Sequence, residues 1–325
     1  MDEQEKRPPK LLDQLRELLR IKHYSYKTEQ SYVRWVKRYI LFHNKRHPKD
    51  MGEQEITQFL SHLAIKQNVS ASTQNQALCA IVFLYKHVLN KAPGEFTKIV
   101  WAKRPKRLPV VLSREEVKEI LENISGTIWL VVSLLYGSGL RLNECLKLRV
   151  KDIDFEYNQL LIRSAKGGKD RYTLLPNIIK TTLQQHLLKV QKLHQQDLKN
   201  GYGNVHLPYA IERKYPKAAK EWGWQYAFPS LSISADPRSN VQRRNHIGEW
   251  TIQRSIRYAI LKTGITKSVS AYTFRHSFAT HLLENGYDIR TIQELLGHKN
   301  VKTTMIYTHV LKNGGHYIKS PMDML

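Results

Sequence analysis

Apolar residues recur every three or four positions through the first ninety residues, and this periodicity constrains the fold more than any other feature. Residues at i, i+3, i+4 and i+7 share one face of an α-helix, so the pattern predicts amphipathic helices and not strands. Four segments show it, around Leu15, Tyr39, Phe59 and Ile81. The sequence therefore predicts a small all-helical domain over residues 1–97.

The net charge restricts the partners that the chain could bind. Its 325 residues carry 52 Lys and Arg against 28 Asp and Glu, a formal net charge of +24. Such an excess is typical of proteins that bind nucleic acid or anionic membranes. No apolar run approaches the roughly 18 residues of a spanning helix, and the N-terminus lacks the apolar core of a signal peptide. We therefore expect a nucleic-acid partner, no membrane, and a location in the cytoplasm.

Two cysteines and scattered carboxylates argue against a metal centre. Cys79 and Cys145 lie in apolar helical segments, which predicts two buried free thiols. Neither has a His or second Cys at ligand spacing, and no carboxylates are spaced to hold two cations. The sequence predicts no metal and no cofactor.

A basic linker is predicted to join the helical domain to a second one. Residues 98–112 combine cations with prolines, which indicates an extended segment lying against phosphates. Its expected DNA contacts are Lys103, Arg104, Lys106 and Arg107. The second domain, residues 113–325, begins at Ser113, whose hydroxyl predicts a capping box with Glu116.

The second domain opens with helices and a short stretch of strand character. In G-S-G-L-R-L-N-E the glycines predict a tight turn that projects Arg141, with Glu144 on the same helix face to hold its guanidinium. The next residues are typical of three strands, with Lys166 at a hairpin tip, where a lone lysine is more often merely solvated. The predicted fold is mainly α with a small antiparallel β-sheet (α+β).

Residues 191–250 interleave aromatic side chains with Arg and Lys. Flat side chains stack on unpaired bases, each worth roughly 1–3 kcal/mol, so the segment is a candidate reader of single-stranded or extrahelical nucleotides. The residues expected to contact DNA here are Trp224, Pro237, His246, Arg243 and Arg244. Tyr226 and Phe228 are predicted to pack inside the segment.

The last hundred residues return to helices and complete a set of polar side chains. Arg275 stands in Y-T-F-R-H-S-F-A-T-H-L-L, His298 follows Gly297 in L-L-G-H, and Tyr307 stands in I-Y-T-H. Together with Arg141 and Lys166, they resemble the catalytic set of the tyrosine recombinases, the phage integrase family. The aromatic segment is similar to the insertion of the integron integrase branch.

The resemblance implies a role for each member of the set. Tyr307 would be the nucleophile that forms a 3′-phosphotyrosine bond, with Arg141 and Arg275 clamping the scissile phosphate. His298 would hydrogen-bond a non-bridging oxygen, and Lys166 would protonate the leaving 5′-oxygen. No metal or other cofactor is implied.

One position departs from the family pattern. The family usually has histidine three residues before the second arginine, and this chain has Tyr272. A phenol can donate to phosphate but is a poor base near pH 7. His276 lies about 100° further around the helix from Arg275 and is not expected to replace it. We expect cleavage that is slower than in a Tyr272→His variant, or shifted to higher pH.

The resemblance implies a site-specific recombinase that integrates and excises gene cassettes at folded single-stranded and double-stranded sites. It would act as a homo-tetramer on two DNA sites in the bacterial cytoplasm, with tails 312–325 exchanged between neighbours. Alternatives are a phage or chromosome-resolution type acting only on duplex DNA, and a DNA-binding relative impaired by Tyr272. A metal-dependent nuclease has little support.

Overall fold

The computed structural model describes residues 9–94, 98–103, 108–163, 170–207 and 211–308. The chain forms two compact units, Met1–Arg107 and Leu108–Leu325. Within the described residues, no helix combines the length and apolarity needed to cross a membrane.

The first unit is a bundle of helices around one apolar core. Its helices are α1 (Leu11–Ile21), α2 (Tyr26–Phe42), α3 (Glu53–Ile65) and α4 (Ala71–Phe83), the last continuing as a π-helical turn over Leu84–Val88. Serines cap two of the helices, with Ser25 accepting from the Thr28 amide and Ser70 from the Thr73 amide. In the core, the hydroxyls of Tyr39 and Tyr85 lie 3.0 Å apart.

The predicted burial of both cysteines is half right. Cys145 is buried, whereas Cys79 is exposed on α4. The neighbours Ala77, Ala80 and Ile81 face the core of the unit, and the helical turn leaves position 79 between them on the outer surface.

The second unit is a helical domain with two small antiparallel sheets. Its helices are α5 (Arg114–Glu122), α6 (Gly126–Gly137), α7 (Leu142–Leu146), α8 (Lys180–Lys199), α9 (Ile211–Lys214), α10 (Glu249–Ile260), α11 (Ala271–Glu284), α12 (Ile289–Leu296) and α13 (Val301–Thr304). A 3₁₀ turn, Met305–Thr308, follows α13. Ser113 and Glu116 form the predicted capping box at the start of α5.

The strands confirm a mainly helical fold with a small antiparallel component. The first sheet has the order β1 (Ile153–Asp154), β2 (Gln159–Ile162) and β3 (Arg171–Leu174). The second is a hairpin of β4 (Pro229–Ala235) and β5 (Gln242–His246). The register pairs Leu160 with both Ile153 and Thr173.

The aromatic segment is partly core, as predicted for two of its residues. Tyr226 and Phe228 are buried, and the Arg149 guanidinium lies 3.9 Å above the Tyr226 ring. The predicted start of the segment, residue 191, falls inside α8, because that helix runs on to Lys199.

Helix α11 occupies the centre of the second unit. It packs against α6, α12 and the Met305–Thr308 turn, so its side chains are buried around most of its circumference. A helix enclosed in this way can hold several polar side chains at fixed positions, provided that each one has a partner.

Candidate active site

A glycine turn places Arg141 at the start of α7. Gly139 has φ +60°, a backbone conformation that L side chains rarely adopt, and a Cβ there would lie 2.4 Å from Phe278. The Gly139 carbonyl accepts a hydrogen bond from Arg275 Nη1 at 2.5 Å. The turn predicted from the two glycines is therefore confirmed. It brings the backbone just before Arg141 into contact with the buried Arg275.

One carboxylate, Glu144, organises three guanidinium groups. Its oxygens lie 2.6 Å from Arg141 Nη1, 2.7 Å from Arg171 Nη2 and 3.8 Å from Arg275 Nη1. Burial alone would raise the pKa of Glu144, but the hydrogen bonds and charge of Arg171, supported by Arg141, lower it to about 2. The cluster keeps a surplus of positive charge, which suits a bound anion.

Arg171 was not singled out in the sequence. It begins β3, and it also donates from Nε to the Leu295 carbonyl at 2.9 Å. No local motif marks it, because its partners Glu144 and Leu295 are remote from it in the chain. Leu295 meets it where β3 packs against α12.

Arg275 is fully buried on α11. Its Nη2 donates to the Leu296 carbonyl at 2.6 Å and lies 3.1 Å from His298 Nε2, while its Nε has no hydrogen-bond partner. Burial, together with the charge of Arg141, lowers the pKa of Arg275 to about 10. The side chain remains a cation at neutral pH with one donor unused.

His298 follows the predicted helix stop at Gly297, which has φ +61°. Its Nδ1 lies 3.0 Å from Thr304 Oγ1. Because arginine can only donate, the His298 Nε2 that faces Arg275 accepts, and the ring proton sits on Nδ1. Burial and the charges of Arg275 and Arg141 lower the pKa of His298 to about 4, so the ring is neutral at pH 7.

Tyr307 is buried against the same helix. Its side chain is 1% exposed, packed on Phe278 and Leu296, and its hydroxyl lies 2.9 Å from His276 Nδ1. Burial raises the pKa of the Tyr307 phenol above its ordinary value. The sequence did not lead us to expect His276 in place of the missing histidine, yet the Met305–Thr308 turn meets α11 on the side that carries His276 and so brings the Tyr307 hydroxyl to its ring.

Tyr272 stands at the edge of this arrangement. It is 48% exposed, and its ring packs edge-on against His276 with centroids 4.3 Å apart. It therefore contacts the partner of Tyr307 and lies beside the cluster at the position where the family usually has histidine.

A cleft of about 480 Å³ opens beside the cluster. Arg141, Tyr272 and Trp224 line it, so the structure brings one predicted base-contacting residue next to the predicted catalytic ones. The ammonium of Lys151 lies 2.8 Å from the centre of the Trp224 ring. One face of this indole is thus covered by a cation in the free chain.

The other predicted DNA contacts of the aromatic segment are dispersed. Pro237 is exposed in the turn between β4 and β5, outside the cleft lining. His246 is half-buried, with its ring edge-on to Tyr226 at 5.3 Å and its Nδ1 2.8 Å from the Ile247 carbonyl. Burial lowers the pKa of His246.

Two arginines predicted to contact DNA have protein partners or little exposure in this structure. Arg244 binds both carboxylate oxygens of Asp197, at 2.5 and 2.7 Å, and donates to the carbonyls of Ser230 and Leu231. Arg243 is 5% exposed. That both arginines contact DNA stays a prediction; in this structure Asp197 and two carbonyls hold the Arg244 guanidinium, and the Arg243 side chain is buried.

Several of the predicted site residues lie outside the part of the chain that the structure describes. Lys166, the linker cations Arg104, Lys106 and Arg107, and the tail 312–325 lie outside the described residues. Lys103 is described and exposed. Within the described ranges, no group of three or more His, Cys, Asp or Glu side chains is arranged to hold a metal ion.

Comparison with known proteins gives matches over both units. Family models match as "Phage integrase, N-terminal SAM-like domain" over residues 11–95 and "Phage integrase family" over residues 110–313. An integrase/recombinase from Escherichia coli is 47% identical over 319 residues, 98% of this chain and 95% of that protein. Tyrosine recombinase XerA from Pyrococcus horikoshii is 34% identical over 255 residues, 78% of this chain and 74% of that protein.

A solved structure has a similar fold. XerH site-specific recombinase, bound to a palindromic difH substrate in a post-cleavage complex, has a TM-score of 0.59 at 20% identity. The match covers 93% of this chain and 82% of that one. At this level of identity the similarity concerns the fold.

Proposed function

The chain belongs to the phage integrase family of tyrosine site-specific recombinases, and we propose that it cleaves and rejoins DNA through a 3′-phosphotyrosine bond at Tyr307. The observation that carries this proposal is the convergence of remote segments on one buried cluster. On α11, Arg275 contacts His298, and the next residue, His276, contacts Tyr307. Glu144 lies between Arg141 and Arg275 and connects the two.

The cluster has the chemistry that phosphodiester cleavage needs. As the phenol attacks phosphorus, negative charge builds on the non-bridging oxygens, and buried guanidinium groups stabilise it without solvent reorganisation. In the free chain, the carbonyls of Gly139 and Leu296 accept hydrogen bonds from Nη1 and Nη2 of Arg275. A charged phosphate oxygen is a stronger acceptor than a neutral carbonyl, so bound DNA would take over these hydrogen bonds.

The leaving oxygen needs a proton donor, and we assign that role to Lys166. His298, neutral in the free chain, would gain a proton when a phosphate replaces the arginine at its Nε2, and would then donate to a non-bridging oxygen. Tyr307 is covered in the free chain, so DNA binding would also have to give the scissile phosphate access to its hydroxyl.

For the substrates, we propose folded single-stranded and double-stranded recombination sites, at which gene cassettes are integrated and excised. The supporting observation is that Trp224 lines the same cleft as Arg141, in a volume that accepts a nucleobase. An extrahelical base would displace Lys151 from the indole and stack there. The working form would be a homo-tetramer on two DNA sites.

A recombinase that acts only on duplex DNA is the second candidate. It is favoured by the internal pairing of Arg244 and by the burial of Arg243, which leave the segment with fewer free cations than its sequence indicates.

Binding to matched folded-strand and duplex sites across a salt series distinguishes the two candidates. Both affinities should fall steeply with salt, because phosphate contacts release counterions. The native chain should prefer the folded strand, and Trp224→Ala should reduce that preference about 5- to 100-fold while leaving duplex affinity unchanged.

Trp222→Ala is the matched control. Trp222 belongs to the same 3₁₀ turn as Trp224 but packs on His194, with ring centroids 6.2 Å apart. The Trp222→Ala variant should be less stable than the native chain but should keep its preference for the folded strand over the duplex. Equal affinities of the native chain for both substrates would favour the duplex-only recombinase.

A further inference from the structure

The histidine next to Arg275 has a partner that the family pattern does not assign to it. His276 is buried on α11, and its Nδ1 is 2.9 Å from the Tyr307 hydroxyl. The ring centroids of His276 and Tyr307 lie 5.5 Å apart. The Tyr272 ring also packs on His276, with centroids 4.3 Å apart. The imidazole is thus held between two phenols, one buried and one exposed.

The pair has the protonation states that proton transfer requires. Burial and the charge of Arg275 lower the pKa of His276 to about 4, so its ring is neutral at pH 7. The pKa of Tyr307 is raised by burial, so its phenol keeps its proton. The phenol therefore donates to a free Nδ1 lone pair, and the ring proton sits on Nε2.

Tyr272 is poorly suited to the same task. A phenol is a much weaker proton acceptor than a neutral imidazole, and the Tyr272 side chain is half exposed. Its ring can brace His276, and the edge-on packing is an arrangement that aromatic pairs favour.

We infer that His276 is the general base of strand cleavage in this chain and takes the role of the histidine that is missing at position 272. The inference rests on the proposed nucleophilic role of Tyr307. As the Tyr307 oxygen bonds to phosphorus, its proton passes to His276 Nδ1. The bond from phosphorus to the 5′-oxygen breaks, and that oxygen takes a proton from Lys166. Rejoining reverses both transfers.

The base responds to the groups that face it. On its own helix these are Arg275 and Tyr272. The others are Tyr307 on the 3₁₀ turn and His298 after α12, whose pKa the charge of His276 lowers. The positive charge of Arg275 disfavours an imidazolium at His276, whereas the phosphate of bound DNA favours one. The transfer therefore becomes favourable once the scissile phosphate is in place.

The test is His276→Asn in the full chain, because the asparagine Oδ1 takes the place of Nδ1 and accepts the phenol's hydrogen bond but not its proton. Covalent adduct formation on a nicked duplex suicide substrate should be about 100-fold slower at pH 7. The variant's rate should rise about tenfold per pH unit, since the phenol must lose its proton to solvent, whereas the native rate stays flat from about pH 6 to 8.

A substrate with sulfur in place of the leaving 5′-oxygen separates the two proton transfers. Sulfur leaves without protonation, so it should not restore the rate of His276→Asn. Full restoration would place His276 on the leaving-group side and overturn the inference. A rate for His276→Asn within about threefold of the native rate, with the same pH profile, would also overturn it.

His281→Asn is the matched control. His281 is buried on the same helix, and its Nδ1 bonds a phenol, Tyr136 Oη, at 2.8 Å, away from the cluster. The His281→Asn variant should lower the unfolding temperature, as His276→Asn does. It should leave the cleavage rate and its pH profile unchanged. If His276→Asn does not fold, His276→Gln is subjected to the same measurements.

Two further variants complete the test. Tyr272→His should raise the native rate by no more than about threefold, because a base already contacts Tyr307. A larger gain would mean that position 272 carries the base and His276 does not. Tyr307→Phe must abolish the adduct; if it does not, the proposed function fails, whatever His276 does.

Discussion

Replacing Tyr307 with phenylalanine is expected to lower the rate of DNA strand cleavage by about four orders of magnitude or more. The change removes the single oxygen that attacks phosphorus and keeps the ring that packs on Phe278 and Leu296. The loss should therefore appear in the chemical step alone. Duplex affinity and the unfolding temperature should stay close to the native values, as measured by titration and calorimetry.

Tyr272→Phe is the control for that prediction. This second phenol is 48% exposed and lines the cleft with Arg141, so it is the obvious competing nucleophile. Its loss should change the cleavage rate by less than about threefold, because the ring that packs on His276 is retained. A large loss with Tyr272→Phe and a small one with Tyr307→Phe would reverse the assignment.

Replacing Glu144 with glutamine should destabilise the second unit by about 3 kcal/mol. The amide keeps the shape of the side chain but no longer compensates the charges of Arg141, Arg171 and Arg275. For a domain of this size we expect the unfolding temperature at pH 7 to fall by roughly 5–10 °C, measured by calorimetry on the full chain.

The stability that Glu144 contributes depends on pH, and the pKa of Glu144 sets the direction of that dependence. The pKa of Glu144 is lowered to about 2 in the folded chain, below the roughly 4.3 of an unfolded glutamate. Its stabilisation is thus fully present above about pH 4.3 and is lost as the pH falls toward 2. The difference between the native chain and Glu144→Gln should shrink over that window.

Glu122→Gln is the matched control for Glu144→Gln. Glu122 forms an exposed i,i+4 pair with Lys118 at 4.0 Å, and such pairs contribute about 0.5 kcal/mol or less. An effect of Glu144→Gln no larger than that of Glu122→Gln at pH 7 would contradict the central role of this carboxylate.

Local rules of chain geometry predicted much of the site. The glycine turn before Arg141, the three-residue step to Glu144 and the helix stop before His298 each depend on neighbours within a few positions. The helices, and the presence of three short strands after α7, were likewise predicted from local sequence patterns. Each of these features is determined by residues that are its neighbours in the sequence.

Features that depend on remote contacts could not be predicted in this way. The angle between Arg275 and His276 on α11 is fixed, but the side from which Tyr307 approaches depends on how the Met305–Thr308 turn packs. Arg171 and Arg244 are ion-paired because strands carry them to Glu144 and Asp197. Composition marked Arg244 as a DNA contact, since sequence alone does not show which way a strand faces.

The most direct test of the account is to trap the native chain on a nicked duplex site and map the linkage by peptide mass spectrometry. We expect a nucleotide joined by its 3′-phosphate to Tyr307 and a released strand with a 5′-hydroxyl end. A linkage at Tyr272, or free 3′-hydroxyl and 5′-phosphate ends with no adduct, would contradict it.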